Sequence, residues 1–201
     1  MKNIQTSWHK SHVRKVTTEE QLQREKWYLP HHPVFHPQKP GKVRVVFDCS
    51  AKYWGSFLND QLLQGPDVTN TLVGVLTQFR EDSVAFMTNV EAMFYRVRVQ
   101  PDNCKYLRFF LWPHGDLVKE PEEYQMLVHL FDGASSPSCA TYALKRTTGG
   151  NKDFDAVTIS TVKRNFYVDD CLKSVPTNPK AVKLVSELRK LLSRGGFHLT
   201  N

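Results

Sequence analysis

The sequence predicts an α+β fold, a sheet of mixed but largely antiparallel strands covered by helices. Three observations carry this. The run "KVRVVFD" is β-branched and suits a strand; "VKRNFYVDDCLKSV" reads as two strand runs turned back on each other; and near the end a clean amphipathic helix is written out with its own start and stop. Taken in order, the elements run β, α, β-β, α, β-β, α, β, which mixes antiparallel pairs with helices.

The opening "MKNIQTSWHKSHVRK" is polar and basic and is expected to be mobile as far as Lys15. Thr17-Thr18-Glu19-Glu20 is a capping box, which predicts a short helix from about Thr18 to Trp27. "YLPHHPVFHPQKPGK" must be extended, because each proline restricts its predecessor to β or polyproline space. After the Lys39-Pro40-Gly41 turn comes the "KVRVVFD" strand, then a loop, "CSAKYWGSFLNDQLLQGPD", punctuated by Gly55, Gly65 and Pro66.

Leu72, Val75, Leu76 and Phe79 recur at helical spacing. "SVAFMTNV" is a strand candidate followed by a helical-looking "EAMFYRV", and "KYLRFFLW" and "EYQMLVHLF" are two further strands. "DGASSPSCATYALKRT" is a loop feeding a helix near Pro137. The final helix starts at Asn178 as N-cap with Pro179 behind it. It buries Ala181, Leu184, Val185, Leu188, Leu191 and Leu192, stops at Gly195-Gly196, and gives way to a strand at "FHLT".

The 201 residues are 40% hydrophobic and 23% charged, an ordinary globular composition with room for one core or two small lobes. No apolar run approaches the roughly 20 residues of a membrane span. The N-terminus has no apolar core of the secretory kind, so the expected location is intracellular, cytoplasmic or nuclear. Cys49, Cys104, Cys139 and Cys171 are scattered without a C-x-x-C pair and read as free thiols of a reducing compartment. A net charge of +7 suits a polyanionic partner, though a soluble basic protein without that role has the same charge.

Asp169 and Asp170 interrupt an apolar stretch. Successive residues of a strand point to opposite faces, but at the tip of a tight hairpin both can reach one rim. Side by side they repel, and Mg²⁺ or Mn²⁺, with their taste for hard oxygen ligands, would neutralise them. A pair of such ions clamps the attacking and leaving oxygens of phosphoryl transfer. On two acids alone, a turn facing water is the simpler reading.

The flanking residues change that balance. "FYVDD" resembles the Tyr-x-Asp-Asp turn of retroelement reverse transcriptases. "WYLPHHPV", "KPGKVRVVFDCSA", "LNDQLLQGPD", "VHLF" with "SSPSCATYAL", "NFYVDDCL" and "GGFHLT" resemble, in the same order, the polymerase region of BEL/Pao-type LTR retrotransposon polyproteins. The resemblance implies a right-hand polymerase: a polar extension and short helix over residues 1–26, a fingers-like segment over 27–80, and a palm over 81–201 with a fingers insertion at about 105–130. It also implies a fragment that stops before the thumb, which would grip primer–template poorly.

Residue by residue, the resemblance makes Asp169 and Asp170 catalytic metal ligands. Asn89, in "FMTNVEAMF", stands where the family carries a third catalytic Asp, as in "ADIEAMF". Phe94, five residues on, matches the aromatic gate that excludes ribose. Lys42 and Arg44 match the fingers strand that holds the triphosphate of the incoming deoxynucleotide, a role guanidinium suits because its donors fork onto phosphate. Tyr167 matches the residue packed against the primer end. Asp132 stands where a Gly is expected in a loop facing template and incoming base.

Without the resemblance, Arg44 would be a strand-surface Arg and Tyr167 a half-buried strand Tyr. The implied function is RNA-directed DNA polymerase on an RNA/DNA primer–template with deoxynucleoside triphosphates, using Mg²⁺ or Mn²⁺. It is impaired by Asn89, because an amide oxygen carries no formal charge and cannot bridge two metals. The rival expectations are a nucleic-acid-binding remnant or domesticated fragment without chemistry, and a truncated chain that does not fold.

Overall fold

In chain order the elements of the computed structural model are β1 (Val13–Lys15), α1 (Thr18–Gln21), β2 (His31–Phe35), β3 (Val43–Phe47), α2 (Leu58–Gln61), α3 (Leu72–Gln78) and β4 (Val84–Asn89). They continue as β5 (Arg108–Leu111), β6 (Glu122–Met126), α4 (Ser136–Arg146), α5 (Ala156–Arg164), β7 (Phe166–Tyr167), β8 (Asp170–Val175) and α6 (Asn178–Arg194). The structure describes residues 12–35, 43–151 and 153–200, so Lys42, the Lys39-Pro40-Gly41 turn and the chain before His12 lie outside the described residues. Strands pair antiparallel throughout, in sheets β1-β6-β5, β2-β3 and β4-β8-β7. The α+β expectation holds.

The chain forms two units, Met1–Leu63 with Arg98–Ser136, and Gln64–Val97 with Pro137–Asn201. In the first, β2 and β3 make a hairpin from the proline-rich stretch and the β-branched run, in register from His31↔Phe47 to Phe35↔Val43. Pro33 is tolerated because β2 is an edge strand. Phe47, Phe109 and His31 pack against one another at 5.1 to 5.6 Å, with burial lowering the affinity of His31 for a proton.

Two expectations for the start of the chain are corrected. Residues 13–15, expected to be mobile, are a strand, because β6 offers an edge and Val13 pairs with Met126 there. The capping box forms as predicted, Thr17 and Glu20 satisfying each other's backbone. Its helix nevertheless ends at Gln21 rather than near Trp27, since Leu22 is left exposed and the chain beyond is drawn onto β5. The Trp27 amide donates to the Lys105 carbonyl and its own carbonyl accepts from the Arg108 amide, each at 3.2 Å. Beneath α1 the fully buried Arg108 bonds Glu123 at 2.8 Å, the Glu20 carbonyl at 2.9 Å and Gln23 at 2.7 Å, so the pair is hydrogen-bonded as a buried charge must be.

In the second unit α4, α5 and α6 cover one face of the sheet β4-β8-β7. Val90, Cys171 and Val175 from the sheet side meet Leu144, Val162, Leu184, Leu188, Leu191 and Leu192 from the helices. Of the stripe read from the sequence in α6, Leu184, Leu188, Leu191 and Leu192 are buried, Ala181 is partly buried against the core and Val185 only half-buried, and the N-cap is Thr177 rather than Asn178. In α3 the stripe is used only in part: Val75 is buried, while Leu72 and Leu76 stay exposed.

The largest departure from the sequence reading is α5, whose "VKR" reads as strand. Asp155 caps it by accepting from the Thr158 amide at 2.8 Å. Thr158, Thr161 and Val162 then fall on one buried face, which outweighs the strand preference of β-branched residues. At the end, "FHLT" forms no full strand, only the bridge Val90↔Leu199.

Gly195 closes α6 at a point where a side chain has no room, since a Cβ would run into Thr147 Cγ2 and lie 3.1 Å from the Thr147 Cβ. Gly195→Ala is therefore expected to lower unfolding free energy by about 1–3 kcal/mol through overpacking, measured by urea denaturation. An unchanged midpoint would contradict this packing.

Candidate functional site

The two adjacent acids sit on the β7–β8 hairpin. Phe166 pairs with Cys171 and Tyr167 with Asp170, leaving Val168 and Asp169 as a two-residue turn. Such turns need positive φ at the first central position, and Val168 adopts φ 54°, a costly choice for a β-branched residue. Strain of that kind is kept only where surrounding structure enforces it.

The enforcement comes from three sides. The Lys145 ammonium on α4 donates to Asn70 Oδ1 at 3.2 Å and the Val68 carbonyl at 2.7 Å, and Asn70 Nδ2 in turn donates to the Phe166 carbonyl at 2.8 Å. Burial lowers the Lys145 pKa below its ordinary value. At the far end of the hairpin, the Leu172 amide donates to the Asn165 carbonyl at 2.9 Å. The Ser174 hydroxyl, fully buried, donates to the Gln78 carbonyl at 3.1 Å and so pins α3 to β8. On the third side lies β4.

The ladder between β4 and β8 ends on the rung Asn89↔Asp170, and one residue further the Val90 amide donates to the Asp169 carbonyl at 2.8 Å. Asn89, Asp169 and Asp170 are thus brought together at one sheet end. Although Asp170 is exposed, partial desolvation, with the neighbouring Asp169 charge adding to it, holds its carboxyl above its usual pKa.

Thr200, which sequence reasoning passed over, closes this end. Its hydroxyl donates to Asn89 Oδ1, its amide donates to the Asn89 carbonyl at 2.8 Å, and its carbonyl accepts from the Thr88 hydroxyl at 2.8 Å. The clue available was the strand-like character of "FHLT"; which residue it would grip was not written in the pattern.

This donor set does not fit a pair of divalent cations. Two carboxylates are adjacent, the third position offers an amide whose oxygen already accepts from Thr200, and no group of three or more His, Cys, Asp or Glu side chains suited to a metal occurs among the described residues.

The other expected site residues fall as follows. Phe94 lies in a 3₁₀ turn, Met93–Arg96, half-buried against the core that backs the sheet. Tyr167 is partly exposed beside the turn. Arg44 is an exposed residue of β3 in the first unit, opposite Val34. Lys42 lies outside the described residues. Asp132 ties two loops of the first unit together. Its carboxylate accepts from the Cys49 amide at 2.8 Å, and its carbonyl accepts from Asn59 Nδ2 at 2.8 Å.

A raised Asp170 pKa means the folded chain holds that proton more tightly than the unfolded one. Protonation therefore stabilises the fold below the unfolded carboxylate range, and that gain is lost as pH rises through the folded value. Asp170→Asn is expected to raise the melting temperature at neutral pH, with the advantage shrinking as pH falls through the carboxylate range; a lower neutral melting temperature would contradict it.

No known protein family and no curated protein matches the sequence. Solved structures do match its fold. A foamy viral protease–reverse transcriptase in complex with double-stranded DNA is 18% identical with a TM-score of 0.65, over 94% of this chain and 28% of that one. A second such complex is 19% identical with a TM-score of 0.64, over 93% and 32%. The native prototype foamy virus protease–reverse transcriptase is 14% identical with a TM-score of 0.65, over 94% and 21%. This chain thus spans less than a third of each neighbour. It has the fold of a reverse transcriptase's polymerase region.

Proposed function

We propose that this chain is the fingers-and-palm part of a BEL/Pao-type reverse transcriptase that binds primer–template nucleic acid, and that its nucleotidyl transfer is impaired. The observation that carries this is the Asn89↔Asp170 rung, with Asp169 bonded to the next residue of β4. It supports the sequence alignment that puts Asn89 where a catalytic carboxylate belongs. In that reading Asp169 and Asp170 are the remaining metal ligands, Phe94 the ribose gate, Tyr167 the primer contact, and Arg44 with Lys42 the triphosphate grip. The order of six sequence motifs and the net charge of +7 support it further.

The second reading, a nucleic-acid-binding remnant without chemistry, is favoured by the Thr200 clasp. An amide oxygen already bonded to a hydroxyl is a poor substitute for a carboxylate that must hold two cations.

Primer extension on an RNA template with Mg²⁺ or Mn²⁺ separates the two. Loss of one group that stabilises a transition state commonly costs about 10²–10³ in rate, so Asn89→Asp is expected to raise extension by at least that factor. Asp169→Ala in the same background is expected to abolish it. Robust extension by the unmodified chain that survives Asp169→Ala would overturn the site. Failure of Asn89→Asp to extend, with nucleic-acid binding intact, would favour the remnant.

A further inference from the structure

Trp54 is 90% exposed, and it occupies a position that its backbone resists. Tyr53 and Ser56 exchange both backbone hydrogen bonds, at 2.8 and 3.1 Å. The two residues between them, Trp54 and Gly55, have φ of 51° and 83°, the signature of a type I′ turn. Gly suits its place. At the first position such turns prefer Asn, and a large L-residue in the left-handed region costs free energy. Here the cost is not offset by burial, and strain kept without burial points to a role for the exposed indole.

The ring belongs to a group. Tyr53 lies 6.3 Å from Trp54 at 67°, and Trp27 lies 6.5 Å from Tyr53 at 78°. The Trp27 backbone is tied to Lys105 and Arg108, and the Tyr53 backbone closes the turn. Lys26 and Lys52 adjoin two of these aromatics in sequence, their ammonium groups 5.8 Å from the Tyr28 and Phe57 rings. The nearby carboxylate of Glu25 is turned to Lys105 at 3.1 Å and Tyr106 at 3.4 Å. The array is therefore aromatic with a cationic border.

We propose that Trp27, Tyr53 and Trp54 form a ledge on which the unpaired bases of single-stranded nucleic acid stack, Lys26 and Lys52 facing the phosphates. Every base has a π-face, so such a ledge is tolerant of sequence and indifferent to paired bases. The inference rests on the nucleic-acid-binding reading and gives it a single-strand site.

The test is fluorescence anisotropy of labelled oligo(dT), with a blunt DNA duplex as control, on the full chain. Trp54→Asn removes the ring and installs the residue the turn prefers. It is expected to weaken oligo(dT) binding about 5- to 100-fold, from the usual worth of one base–aromatic stack, to leave duplex binding unchanged and not to lower the melting temperature. Trp54→Ala gives the same loss by a second route. Unchanged oligo(dT) affinity in both variants overturns the ledge while the wider reading stands. Failure of the unmodified chain to bind either nucleic acid overturns both.

Discussion

The antiparallel ladder of β4 with β8 builds the candidate site, because its last rung sets Asn89 against Asp170. Side chains on a strand alternate faces, so a slip of one residue would send Asn89 and Asp170 to opposite sides of the sheet. Several features guard the register. Val84, Phe86, Cys171 and Val175 are taken up by the helical core, Ser174 is locked to α3, and the Val90 amide reaches the turn itself. The turn can then hold a β-branched residue at positive φ, since the ladder and the Lys145–Asn70 brace leave it no alternative.

In the proposed alignment, the residue at position 89 decides the chemistry that this frame can carry. An Asn fills nearly the same volume as an Asp and can hold the same rung, so folding does not register the exchange. Compared with an Asp at that place, Asn89 leaves one negative charge fewer at a sheet end where partial desolvation and Asp169 push the Asp170 pKa upward. A fold of this kind would tolerate an Asp-to-Asn exchange at that rung, because packing sees shape and a cation sees charge.

Much of this is legible in the sequence, for reasons that differ by element. The α6 stripe is the strongest periodic signal in the chain and its buried face is the one observed. The hairpin at Asp169 and Asp170 is readable because two acids in an apolar run need a turn. The α5 helix is not, since its β-branched residues argue for strand until one knows that Thr158, Thr161 and Val162 share a buried face. The buried Arg108–Glu123 pair and the Asp132 tie depend on partners 15 and 83 residues away, which no local pattern encodes. Thr200 is invisible for the same reason: its partner is 111 residues upstream.

A Mn²⁺ titration of the unmodified chain, followed by electron paramagnetic resonance, reads the cation capacity of this sheet end directly. No site that takes up two Mn²⁺ ions is expected, since in the proposed alignment an amide at Asn89 stands where a bridging carboxylate would be needed. Stoichiometric uptake of two ions, lost on Asp169→Ala, would contradict it.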